Sequence, residues 1–327
     1  MRSTIRAASI AVLCLTVVIL ALPAYAVTNE LVGSSESHSI EKFDSSGNWI
    51  KTFASTGPWI PVSIAASPTT NDVFVATYTQ TILRYHSSGT PFGPAGSYWS
   101  TFNLADPHGN PAEGLLFDAH GNLYVATNFG TSGYVVEIYK FSASQLLSSL
   151  PVASGSPIIT TLGRGDQMAW DNFGNICIAS FDDPYDVQCY NPHTGSLAFD
   201  YASEIEPLAI QPVGLAFGPK NNLTVNDTFT GAVWVEAVER TGPMNLLASG
   251  MVPLLGWLAV DSGGTLYAPS WHNANTRYGT CVSPFYACVD YDFSSDVVYK
   301  IDPSSGTVIN FITTHIWGPY QMIFVTF

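Results

Sequence analysis

Hard oxygen donors crowd two short stretches of this chain. "FDDPYD" carries Asp182, Asp183 and Asp186, and "NDT" carries Asn226 and Asp227. Carboxylate and amide oxygens at that density suit a calcium ion, although their spacing fits no EF-hand loop. A different chemistry belongs to "SWHNANTRYGTCVSPFYACVDYDFSSD", residues 270–296, where Trp271, His272, Asn273, Tyr278 and Tyr286 are interleaved with acids. Rings cover the apolar faces of sugars and peptides while amides read their polar groups, so this stretch has the composition of a recognition loop. The histidines, including His272 and His315, are scattered with no HExxH or comparable pair, and no zinc hydrolase is signalled by motif. The sequence also has no GxSxG elbow, P-loop, GxGxxG or catalytic CxxC.

The first residues bear on where such chemistry would operate. "MRSTIRAASIAVLCLTVVILALPAYA" places two arginines before an apolar run and ends in Ala24-Tyr25-Ala26. That is the small-x-small pattern of a signal peptide cleaved after residue 26, and it predicts a secreted or periplasmic chain of residues 27–327. Cys14 lacks the small residue that a lipoprotein site needs before it, and no later segment is long and apolar enough to span a bilayer. The net charge is −14, and cleavage would remove Arg2 and Arg6 as well. Such a field repels phosphate backbones, so nucleic acid is excluded as a partner. The four remaining cysteines allow three pairings, and proximity in an exported chain favours Cys177 with Cys189 and Cys281 with Cys288.

The elements that must position these residues emerge from a repeat. "VSIAASPTTNDVFVAT", "EGLLFDAHGNLYVATN", "DQMAWDNFGNICIASF", "VGLAFGPKNNLTVNDT" and "GWLAVDSGGTLYAPSW" are each an apolar strand, a polar turn and a second strand. The turn falls at Ser67, Asp118, Asp171, Gly218 and Asp261. A third strand and another turn follow in "LRYHSSG", "EIYKFSAS", "VQCYNPHTG", "WVEAVERTG" and "VYKIDPSSG". A four-stranded meander of about 45 residues is the size of a propeller blade. The N-terminal "NELVGSSESHSIEKFDSSGNWIKTF" matches the last three strands of a unit, and the C-terminal "GPYQMIFVTF" matches the missing first strand. Joining the two termini completes a sixth blade and hides the sheet edges.

"IEKFDSSGNWIKTF" and "EGLLFDAHGNLYVA" resemble NHL repeats, and residues 29–327 are similar throughout to a six-bladed NHL-type β-propeller, an all-β fold. The resemblance implies a ligand face built from the connections into each first strand and the loops between second and third strands. It places Val62, Glu113, Asp166, Val213, Gly256 and Tyr320 just before the first strands, ringing the channel mouth. Glu113 and Asp166 would then share a cation or a sugar hydroxyl across adjacent blades.

"EGLLFD" is also similar to the acidic motif of gluconolactonase-type propellers, whose Glu helps hold a catalytic divalent metal. The additional ligands of those enzymes are replaced here by Val213, Gly256 and Tyr320. His272 and His315 are general-base candidates near the mouth. The favoured reading is a monomeric binding scaffold for a carbohydrate, peptide or protein, with the aromatic loop as a binding lid and Tyr320 among the ligand-binding residues. The competing reading of the loop is a structural flap whose aromatics pack against the blades; the alternative function is a lactonase, hydrolase or lyase in which Glu113, Asp166 and Asn226 hold a divalent metal. No cofactor is demanded, and calcium or another divalent cation is what the donors would accept.

Overall fold

The computed structural model describes residues 28–327 apart from 80, 94–99, 102–111, 129–135, 149–154, 162–164, 181–185, 209, 228–229, 252–254, 271–277, 280–287 and 290–295. The expected signal segment therefore lies outside the described residues. Six four-stranded antiparallel sheets form the blades of a propeller. Blade 1 joins Pro319–Val325 to Asn29–Ser34, Ser39–Asp44 and Trp49–Ser55. Blade 2 comprises Pro61–Ala66, Val73–Thr77, Thr81–Tyr85 and Ser100–Thr101. Blade 3 comprises Ala112–Phe117, Leu123–Asn128, Val136–Phe141 and Ile159–Thr160. Blade 4 runs through Gly165–Trp170, Ile176–Ser180, Asp186–Tyr190 and Leu197–Asp200. Blade 5 runs through Pro212–Phe217, Leu223–Asp227, Ala232–Glu236 and Met244–Ala248. Blade 6 comprises Ala259–Val260, Leu266–Ser270, Val297–Ile301 and Val308–Ile312.

The repeated turn has one physical cause. Asp118 Oδ1 accepts from the amides of His120 and Asn122, at 2.9 and 2.8 Å. Asp171 does the same for Phe173 and Asn175, and Asp261 for Gly263 and Thr265. A side chain that satisfies two local amides specifies the turn through contacts within the turn itself. Ser67 performs a weaker version through its hydroxyl, and at Gly218 the reversal relies on Asn221 at φ +59°.

Strand side chains alternate between the two faces of each blade, and both faces are covered by neighbouring blades. The core is therefore divided into six apolar wedges, one at each blade junction. Phe74, Leu115 and Phe141 fill the wedge between blades 2 and 3, and Tyr201, Leu215 and Val225 the one between blades 4 and 5. A large apolar side chain fully buried in such a wedge contributes about 1.5–3 kcal/mol.

The ring closes through its own termini. Asn29 pairs with Val325, Leu31 with Ile323 and Val32 with Met322. The carbonyl of Phe327 accepts from Lys42 Nζ at 3.0 Å, which fastens the last residue to the third strand of the same blade. Cys177 and Cys189 are directly opposite each other in the second and third strands of blade 4 and form a disulfide. Cys281 lies outside the described residues, and of Cys288 only the backbone is described, in a two-stranded hairpin with Tyr278–Gly279. No helix among the described residues is long and apolar enough to cross a membrane.

Candidate functional site

The channel mouth is built by one irregularity repeated in every blade. In blade 2, Pro61 pairs with Thr77 and Ser63 with Ala76, so Val62 is an extra residue in the inner strand. In blade 3, Ala112 pairs with Thr127 and Gly114 with Ala126, which makes Glu113 the extra residue. Residues 166 and 167 of blade 4 face Ala179 alone, and residues 213 and 214 of blade 5 face Asn226 alone. Residues 320 and 321 of blade 1 face Gly33, and in blade 6 residues 256–258 face residues 268 and 269. A β-bulge of this kind bends its strand and re-aims the side chains beside it. The six positions expected just before the first strands thus lie, in five of the blades, one residue inside them; the bulge explains the offset.

Beside the bulges of blades 2, 3, 5 and 6, backbone amides bond to side chains, and buried amides require partners. Side chains from other blades supply them. Gln321 Oε1 accepts from the amide of Ile64 at 2.5 Å, and Ser63 Oγ from that of Leu115 at 3.0 Å. Gln167 Oε1 accepts from Leu215 at 2.7 Å and from Leu258 at 3.0 Å, while its Nε2 donates to the Leu258 carbonyl at 2.7 Å. The Gln167 side chain therefore runs from blade 4 past the inner strand of blade 5 to blade 6. Gly214 lets the inner segments of blades 5 and 6 approach closely, since a Cβ there would lie 2.8 Å from the Leu258 amide nitrogen, the Gly256 carbonyl oxygen and Asn226 Nδ2. Gln167, Trp257 and Gln321 are all buried in this wall.

The sequence candidates distribute themselves over this frame. Glu113 and Asp166 occupy equivalent bulges on adjacent blades, and Glu113 is half-buried. Tyr320 lies in the blade 1 bulge, its ring edge-on to Trp257 at 5.4 Å and its carbonyl accepting from the Trp257 amide. Asn226 is fully buried; its Oδ1 accepts from the Gly214 amide at 2.6 Å and its Nδ2 donates to the Gly256 carbonyl at 2.5 Å. Both ends of that amide are committed to the fold. Asp227 is buried and accepts from the Thr230 hydroxyl.

His315 stacks on Trp49 of the outermost strand of blade 1, with ring centroids 4.4 Å apart, and so lies toward the rim of the ring. Asp182, Trp271, His272, Asn273 and Tyr286 lie outside the described residues, and of Tyr278 only the backbone is described. Asp186 is buried beside Asp200; burial first, then the charges of Asp200 and Glu206, push its carboxyl up to about 7. The one group of His, Cys, Asp and Glu side chains close enough to share a metal, among the described residues, is Asp171 with Cys177 and Cys189. Its two sulfurs are consumed by the disulfide.

Sequence reasoning missed an exposed arc on the same face. Trp317, Ile60 and Tyr78 are 39%, 41% and 53% exposed. Hydrogen bonds link the segments that carry them: the Glu36 amide donates to the Trp317 carbonyl, His38 Nδ1 contacts the Gly57 carbonyl at 3.0 Å, and the Tyr78 amide donates to the Ile60 carbonyl. The arc follows the connections into blades 1 and 2 and the second-to-third-strand loops of both. Its signal in the sequence was an aromatic or branched residue in each short connection, which single-residue reading does not separate from a core residue.

The sequence matches no family model and no curated protein. Among solved structures, a protein of unknown function from Bacteroides caccae superposes with TM-score 0.61 at 14% identity, over 91% of this chain and 99% of that one. A chain from a nidogen/laminin complex gives the same TM-score and identity, over 91% of this chain and 98% of its own. A streptogramin B lyase gives 0.53 at 13% identity, over 88% and 83%. These likenesses show the fold, a six-bladed propeller, in agreement with the architecture that the repeat resemblance implies.

Proposed function

We propose that this chain is an exported propeller that recognises a polypeptide partner across its mouth face. The observation that carries the reading is the arc of Trp317, Ile60 and Tyr78, large apolar side chains standing exposed on linked connections beside the acidic Glu36. Exposed apolar surface rimmed by polar groups marks interaction sites, and aromatic residues are enriched where partners dock. The fold is shared with a chain from a complex of nidogen with laminin, a setting in which such a propeller accompanies another protein. The disulfide of blade 4 suits an oxidising compartment outside the cytoplasm.

The reading is tested by panning a displayed peptide library, and in parallel a glycan array, against the wild-type chain and against Trp317→Ala and Tyr78→Ala. Peptides that bind the wild type and lose about tenfold or more in affinity on either substitution support it. Ligands found only on the glycan array would assign the face to carbohydrate. EDTA-sensitive hydrolysis of a lactone panel, without peptide binding, would favour the metal-dependent hydrolase.

A further inference from the structure

The cations of this propeller and its exposed apolar arc occupy opposite ends of the blades. At the mouth end the inner strands begin with their bulges, and the opposite end carries the Asp118, Asp171 and Asp261 turns. Every described lysine and arginine is held toward the turn end. Arg84 pairs with Asp72 and Arg240 with Asp171, each an acid of a turn between first and second strands. Lys42 donates to the carbonyl of Phe327, past the end of the inner strand of blade 1, and Lys51 to that of Ser88, in the turn after the third strand of blade 2. Lys140 lies over the ring of Tyr124, whose hydroxyl donates to Asp118, and Lys300 over that of Tyr267, whose hydroxyl donates to Asp261. Lys220 stands within the turn that Gly218 and Asn222 close. Arg164 and Arg277 lie outside the described residues. At the mouth end the described charges are acids: Glu36 and Glu206 are exposed, and Glu113 and Glu204 are half-buried.

A separation of this kind gives the mouth face a negative potential, which the net charge of −14 reinforces. Surfaces of complementary sign steer a partner into place, and a partner of like sign is turned away. The aromatic members of the arc have a second use in such a field, because the faces of Trp and Tyr rings attract guanidinium and ammonium groups as well as apolar side chains. Resting on the reading that the arc receives a polypeptide, we propose that its partner is a basic segment in which an arginine or lysine stands beside an apolar anchor. The Glu36 carboxylate takes the cationic head. Trp317, whose carbonyl accepts from the Glu36 amide, covers the aliphatic stem. The connection that carries Trp317 is pinned on both sides. Ser34 Oγ donates to the Trp317 carbonyl at 2.9 Å and accepts from its amide at 2.8 Å, Ser35 Oγ donates to the Gly318 carbonyl at 2.8 Å, and His315 stacks on Trp49. A connection already ordered costs less to dock against than one that must be ordered on binding.

The test selects displayed random peptides, free of charge bias, on the wild-type chain. Affinities of the selected peptides are then measured between about 0.1 M and about 1 M sodium chloride, where the Debye length falls from about 10 Å to about 3 Å. The selected set should be enriched in arginine and lysine over the starting library, and affinity should fall about tenfold across that range. Glu36→Gln should weaken binding about three- to tenfold at the lower salt and little at the higher, with an unchanged melting temperature, whereas Trp317→Ala should weaken it at both. Peptides that require Trp317 and Tyr78, yet carry no excess of cations and bind equally at both salts, would overturn this proposal and leave polypeptide recognition standing. Cationic peptides whose binding ignores Trp317→Ala and Tyr78→Ala would reveal diffuse charge attraction and overturn it too. Failure to select any peptide would overturn both readings.

Discussion

Gln167 on blade 4 and Leu258 on blade 6 are joined by a double hydrogen bond: the glutamine oxygen accepts from the leucine amide and its nitrogen donates to the leucine carbonyl. Two blades that are not neighbours in the ring are thereby tied through one side chain, which also serves Leu215 of the blade between them.

Gln167→Ala should therefore destabilise the propeller by about 2–4 kcal/mol, because three buried backbone groups lose their partner at once. Gln321→Ala uncovers only the Ile64 amide and should cost about half as much. Urea unfolding of both variants compares them, and equal, small losses would mean that water replaces the glutamine without penalty.

Stability should fall as pH rises through neutrality, on account of Glu30. Its side chain is buried, its Oε2 has no hydrogen-bond partner, and its carboxyl is pushed up to about 8, mostly by burial and next by Asp44. Asp261 adds to the rise, while Lys300 opposes it. The folded state thus holds a proton that the unfolded chain releases above an ordinary value of 4.5. The contribution is complete below about pH 4.5 and is lost as pH rises toward about 8. Glu30→Gln should match the wild type near pH 4.5 and exceed it by on the order of 3 kcal/mol near pH 8. Melting curves of the two proteins that stay parallel across this range would contradict the assignment.

The disulfide between Cys177 and Cys189 is buried at both ends. Thiol-specific reagents should find neither sulfur in the native protein treated with mild reductant, and both after unfolding. Replacing the pair with alanines should cost about 2–3 kcal/mol, the amount expected when a short loop is no longer closed in the unfolded chain.

Much of this architecture is legible before folding because its determinants are local. The Asp118, Asp171 and Asp261 turns are specified by one carboxylate and the two amides that follow it, so the repeat announces itself in five-residue phrases. Ring closure is legible because the strand missing at one terminus is present at the other. The inner wall was not. Gln167 sits in "DQMAW" with nothing to distinguish it, since its partners lie 48 and 91 residues away, beside bulges that depend on register between strands. Asn226 shows the converse error: an amide beside acids reads as a ligand, whereas packing turns both of its ends inward to Gly214 and Gly256. The mouth positions were identified by analogy with related propellers, and the register shows that each coincides with a bulge.

The central claim is that the arc of Trp317, Ile60 and Tyr78 receives a polypeptide. The most direct measurement is the affinity of a library-selected peptide for the wild type and for the double variant Trp317→Ala, Tyr78→Ala, with melting temperature as the control for folding. The account predicts a loss of about a hundredfold, near 3 kcal/mol, with the melting temperature essentially unchanged. Binding that survives the double substitution intact, in a protein that remains folded, would place recognition elsewhere on the ring.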